Sequence, residues 1–203
     1  MKFLLIATFF FTYSICAQSR QISIDLYLSN NQKGFLIKIT EQKEKLFIEY
    51  KLLDSVSNKL YQDKKYNRIL RKINNIASNP EETKTLEKYI YELNLIKEKY
   101  SYYKTDSLLI PFSENGIYYN DFNNLFNTHK DVLINKRKPH IVLDSNRNMS
   151  FTLKTKDQIQ IIAIPSPTEK SHPILISFLK NTFDLYRKQK QNDFLKEEYI
   201  YNY

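Results

Sequence analysis

The run Ser166-Pro167-Thr168-Glu169-Lys170-Ser171-His172 gathers hydroxyls, a carboxylate and an imidazole just ahead of an apolar stretch. A hydroxyl beside an imidazole is the start of a nucleophile–base pair. Hydroxyls at a helix entrance, together with free backbone N–H groups, suit an anion. The plainer role is capping, in which Thr168 or Ser171 satisfies backbone donors of the first helical turn. Capping is the default here, because the run has no nucleophile-elbow glycine and sequence neighbours seldom complete a triad alone.

A second candidate is Lys136-Arg137-Lys138, the densest positive cluster in the chain. It suits phosphate, lipid headgroups or acidic envelope polymers, although three charges on a loop are ordinarily just solvated. Thr168, Ser171, His172, Lys136, Arg137 and Lys138 are therefore the candidate anion-binding residues, and no catalytic residue is assigned. His129, His140 and His172 are scattered and have no second histidine or cysteine at ligand spacing, so no metal site is expected. With only Gly34 and Gly116, glycine-rich phosphate loops and dinucleotide fingerprints are excluded, and no cofactor is expected.

The formal net charge is +9, yet only six of the 31 cationic residues are arginine. Readers of nucleic acid rely on arginine for bidentate contacts, so no specific nucleic-acid partner is expected. The 16 tyrosines and 13 phenylalanines mostly fall on apolar faces, where core packing accounts for them. Tyr102-Tyr103 and Tyr118-Tyr119 lie beside proposed loops and are the aromatics expected to be free for binding.

These side chains must be positioned by the elements around them. The organising stretch runs from Met149 to Lys188. Residues 150–154 alternate as a half-buried strand, Thr155-Lys156-Asp157 turns, and residues 158–164 alternate before becoming apolar on both sides. Pro165 and Pro167 end that strand. From Pro173, suited to a first helical position, Ile174, Leu175, Ile176, Phe178, Leu179, Phe183, Leu185 and Tyr186 fall on one arc of a helix. That arc is expected to pack on a sheet, with the preceding hairpin nearest.

Upstream, residues 22–28, 35–39 and 46–52 read as a three-strand meander. Tyr66, Ile69, Leu70, Ile73, Ile76 and Ala77 follow helical spacing. Asn79-Pro80-Glu81-Glu82 opens a second helix, lined by Leu86, Tyr89, Ile90, Leu93, Ile96 and Tyr100, giving an αα-hairpin. Residues 105–112 suit a short strand ending at Pro111 and an Asn115-Gly116 turn. Asn120-Asp121 would cap a shorter helix carrying Phe122, Leu125 and Phe126, and Ile141-Val142-Leu143 would pair with the strand at Phe151. The expected fold is α+β: an antiparallel sheet, made of the N-terminal meander plus C-terminal strands, covered by the αα-hairpin and the C-terminal amphipathic helix. A polar, frayed tail would follow from about 189.

Residues 1–17 place one lysine, an unbroken apolar run and small residues in the order of a secretory signal peptide. The run is too short for a comfortable membrane span. Residues 18–203 would then form one domain, held without disulfides because Cys16 is the sole cysteine. That favours a bacterial periplasm or exterior, in the manner of Gram-negative export. Lipidation on Cys16 is disfavoured by Ile15 just before it.

Two function classes follow. One is a non-enzymatic envelope or secreted module that binds a protein partner. The other is a hydrolase-type enzyme with a site near the start of the C-terminal helix. Mass spectrometry of the mature N-terminus tests the export signal. The expected start is Gln18 or Arg20, and an acylated Cys16 would contradict it.

Overall fold

The computed structural model describes residues 19–28, 34–76, 83–135, 147–165, 167–190 and 192–195. The leader, the helix opening at 79–82, the basic cluster Lys136-Arg137-Lys138, His140 and the proposed strand at 141–143 lie outside them.

In chain order the elements are β1 (Gln21–Leu28), β2 (Phe35–Gln42), β3 (Lys45–Val56), α1 (Lys59–Gln62), α2 (Lys64–Ile76), α3 (Thr83–Tyr100), β4 (Ser101–Pro111), α4 (Gly116–Asn127), α5 (Lys130–Leu133), β5 (Arg147–Lys154), β6 (Ile159–Pro165) and α6 (Pro173–Gln189). Among the described residues six strands form one sheet of order β4-β3-β2-β1-β5-β6, every neighbouring pair antiparallel. The fold is α+β, with helices on both faces.

Strand alternation sorts the two faces. Ile22, Ile24 and Leu26 of β1 point to the same side as Phe35, Ile37, Ile39, Leu46, Ile48, Tyr50, Phe151, Ile162 and Ile164, and all are buried in one cluster with the apolar arc of α6. Gly34 leads into β2 at a close approach, where an added Cβ would lie 2.7 Å from the Leu26 carbonyl oxygen.

Helix α6 crosses this face. It begins beyond the end of β6, and its Phe183 ring meets Phe35 of β2 edge-on at 5.1 Å. Tyr50 of β3 donates its hydroxyl to the Thr182 carbonyl at 2.8 Å, and Tyr186 donates to Asp106 of β4 at 2.5 Å. Its 17 residues span about 25 Å at 1.5 Å per residue, close to the width of about 24 Å across five strand spacings. Length and sheet width match, so one helix ties together strands that are far apart in the chain. The helix shares its interior with Phe151 and Ile162 of the hairpin, while its specific polar and ring contacts reach the meander, β4 and α4.

Several boundaries differ from the sequence reading. α4 starts at Gly116 rather than Asn120, so Asn115-Gly116 enters a helix instead of turning. Tyr118 therefore faces the core: it stacks on Phe178 at 5.4 Å and shares a hydrogen bond with Thr182 Oγ1 at 2.8 Å. β4 follows α3 without a loop, placing Tyr102-Tyr103 within a strand. β5 is flanked by β1 and β6. Beyond α6, Leu195 is buried in the core and Phe194 packs against it, so the chain there is anchored, where the sequence suggested a frayed helix extension.

Thr182→Val leaves the buried Tyr118 hydroxyl without this partner. It should lower stability by about 1–3 kcal/mol, and adding Tyr118→Phe should recover most of the loss. Denaturation of the single and double variants checks this.

Candidate functional site

At the entrance of α6 the structure brings three of the candidates together. Ser171 Oγ receives the Thr168 backbone N–H at 2.9 Å, lies 3.0 Å from Thr168 Oγ1 and 3.1 Å from the Thr168 carbonyl, and meets His172 Nδ1 at 2.8 Å. The Ser171 N–H in turn donates to Thr168 Oγ1 at 3.1 Å. Thr168 and Ser171 thus bind each other in a closed turn. The helix cap is His172, buried and with no side-chain capping bond. Glu169 turns outward to Lys180, so carboxylate and imidazole do not converge. Lys136, Arg137 and Lys138 lie outside the described residues. Of the four tyrosines expected to be free, Tyr102 is exposed. Tyr103 lies under the Lys51 ammonium, Tyr118 is buried, and Tyr119 stacks on Phe112 and donates to Glu41. No group of three or more histidine, cysteine, aspartate or glutamate side chains suited to a metal occurs among the described residues.

The second face of the sheet carries charge. α3 crosses it, but much of its apolar side packs away from the sheet: Leu93, Tyr89, Ile96 and Tyr100 join Leu60, Tyr66 and Ile69 in a separate small core. Asp63 organises that core, accepting from the N–H groups of Lys65 and Tyr66 and from the Tyr100 hydroxyl. The sheet-facing side of α3 is held by polar contacts instead. Glu98 bridges Lys38 at 2.5 Å and Lys51 at 3.1 Å, and Asn94 donates to Ser150 at 3.0 Å. A cavity of about 180 Å³ lies here, lined by Asp25, Ser23, Asn94, Thr152, Glu98 and Lys38 among others.

Burial sets the titration of this seam. It pushes the Asp25 carboxyl up to about 6, with Lys97 opposing and Glu98 adding to the rise. It also pulls the Lys97 ammonium down, against the pull of Asp25. Burial would raise Glu98 too, but its hydrogen bonds and charge contacts with Lys38 and Lys51 hold it below the ordinary glutamate value.

Where α3 reaches β6 the seam meets a larger cleft of about 870 Å³. Its floor is Gln158–Ile161, the last turn residue and the start of β6, the outermost described strand on that side of the sheet. One wall is α3, through Glu87, Lys88, Tyr91 and Glu92, and the other runs from Phe126 to Lys130. Arg20 fixes that second wall. Its guanidinium grips both Glu41 oxygens at 2.7 and 2.8 Å, donates to Asn123 of α4 at 2.6 Å, and sits over the Phe122 and Phe126 rings. Lys130 pairs with Glu87 and so links the two walls. Tyr91 lines both cleft and cavity.

Sequence reasoning missed this cleft because its three parts lie far apart in the chain. The available signal was the strand at 158–164, whose alternation was legible but whose position at the sheet edge was not. The chain matches no family model, no curated protein and no solved structure.

Asp25 gives the seam a pH signature. Its folded-state value is raised above the unfolded one, so the folded protein holds the extra proton between about pH 4 and 6, and stability falls as pH rises through that window. Asp25→Asn should remove the fall, being about 3 kcal/mol more stable than the parent at pH 7 and nearly equal to it below pH 4. Denaturant midpoints across that range check the sign.

Proposed function

We propose that the chain is a non-enzymatic, exported binding module that takes a protein partner at the cleft along β6. The observation carrying this reading is an open cleft of about 870 Å³ whose floor is a sheet edge and whose walls are two helical segments. Polypeptide is the ligand class that sheet edges accept through backbone pairing. Ile159, 45 % exposed on that floor, and Tyr91 and Phe126 on the walls supply apolar surface of the kind that anchors protein contacts. Export rests on the leader-like residues 1–17. No helix among the described residues is long and apolar enough to cross a membrane.

The alternative, a hydrolase built on Ser171 and His172, draws on their 2.8 Å contact. Against it stand the closed Thr168–Ser171 turn and the outward Glu169. A serine there already has its hydrogen-bonding capacity engaged, and an activated nucleophile needs its base oriented by a third group.

The test is site-specific photocrosslinking of the full chain in its native cells. A benzophenone side chain replacing Ile159 should capture one discrete protein, and the same group replacing Ile117, 83 % exposed on α4, should not. Absence of any adduct at Ile159, or fluorophosphonate labelling of Ser171, would contradict the reading.

A further inference from the structure

The hydrogen-bond phase of β6 says which backbone groups it presents on the side that no other described strand occupies. Thr155 donates its N–H to the Gln158 carbonyl at 2.9 Å, which makes this a hydrogen-bonded pair at the hairpin turn. In an antiparallel ladder such pairs alternate with non-bonded ones. With Leu153 opposite Gln160, Thr152 opposite Ile161 and Phe151 opposite Ile162, residues 160, 162 and 164 bond β5. The N–H and C=O groups of Ile159, Ile161 and Ala163 then point out of the sheet. Pro165, having no N–H, ends the row of donors.

We infer that this edge takes an extended, uncharged peptide segment of the partner by strand addition, Ile159 and Ile161 supplying the backbone pairs within the cleft. The inference rests on the binding-module reading and specifies its ligand. Three features select the occupant. Size comes first: an extended residue between neighbouring strands fills roughly 160 Å³, from a rise of about 3.3 Å, a strand spacing of about 4.8 Å and a layer depth of about 10 Å. The cleft of about 870 Å³ thus holds about five residues, a common strand length.

Charge comes second. Both carboxylates of the walls already have cationic partners, Glu87 with Lys130 and Glu92 with Lys65, and the remaining wall lysine, Lys88, is exposed to water, so the sheltered part of the groove favours neutral side chains. The amide nitrogen of Gln160, on the floor, is buried without a hydrogen-bond partner. Such a donor lacks an acceptor, and a turn of the Gln160 side chain toward the cleft would let a peptide carbonyl or side-chain hydroxyl supply one. Shape comes third. The walls flank the edge on both sides of the sheet, so a second copy of this chain would bring its own walls against them, whereas a lone strand fits between. Successive side chains of that strand would face Tyr91 on one side and Phe126 on the other, which selects alternating β-branched or aromatic residues.

The probe is a capped, fluorescent hexapeptide of alternating valine and threonine, titrated into the full mature chain. Saturable binding below about 1 mM is expected. N-methylation of every second amide, in the phase that faces β6, should weaken it at least tenfold, while methylation in the other phase should leave it within about twofold. Ile159→Pro deletes one outward donor at the first residue of the strand, where proline is tolerated, and should also cost about tenfold with an unchanged circular dichroism spectrum. Amide exchange of Ile159 and Ile161 should be fast in the free protein and slow on adding peptide.

Absence of binding, or equal sensitivity to both methylation phases, overturns the inference. So does slow exchange in the free monomer, which would mean that the chain covers its own edge, or slow exchange appearing only as protein concentration rises, which would mean a second copy. If the peptide fails while Ile159 still crosslinks a partner, strand addition is wrong and the binding-module reading stands.

Discussion

The whole architecture depends on burying one face of the sheet beneath α6. Antiparallel strands that alternate apolar and polar residues expose a greasy surface until something covers it, and here that surface runs through all six strands. A helix of 17 residues is just long enough to reach from the β6 side to the β4 side. It does so with its largest side chains, Phe178, Phe183 and Tyr186, all buried. β1 joins the meander to the β5–β6 hairpin by pairing with β5, and the crossing of α6 buries both parts in one interior. The position of β6, and hence of the cleft, follows from that constraint.

The opposite face is organised on different chemistry. α3 directs much of its apolar residue set to α1 and α2 and meets the sheet through Glu98, Asn94 and Lys97. Polar and charged groups under a helix are costly unless paired, and Lys38 and Lys51 provide the pairing for Glu98. Asp25 is compensated less fully, as its raised value shows. The interface is therefore held by a few directional contacts, in contrast to the close packing under α6. The same seam opens into the cleft at Tyr91, so the polar underside of α3 and the cleft along β6 form one connected region.

Local patterns were legible, and distant partnerships were not. Ile22, Ile24 and Leu26 reveal their shared face by period alone, as do Leu175, Phe178, Leu179 and Phe183 on α6. The turn at Thr155–Gln158 and the stop at Pro165 follow from residue type. By contrast, Asn115-Gly116 has the composition of a turn but begins α4, because tertiary burial of Tyr118 and Phe122 outweighs local propensity. The pairing of Ile24 with Phe151 joins residues from opposite ends of the chain, and no local signal carries it. Ile161 and Ile162 sit side by side in an apolar run, yet one faces the α3 side and the other the α6 core, a distinction that needs the sheet to be assembled. The cleft was hidden for the same reason. Of the candidate anion-binding residues, Thr168, Ser171 and His172 do cluster, and their hydrogen bonds mostly run inward to one another.

The most direct test of this account is an aromatic nuclear Overhauser experiment on the folded chain. Cross-peaks should join the Phe183 ring to Phe35 and the Tyr186 ring to Tyr50, two strands that the hairpin preceding α6 does not touch. If the α6 rings show cross-peaks only within their own helix, or only to β5 and β6, the helix does not span the sheet and the placement of the β6 edge is wrong.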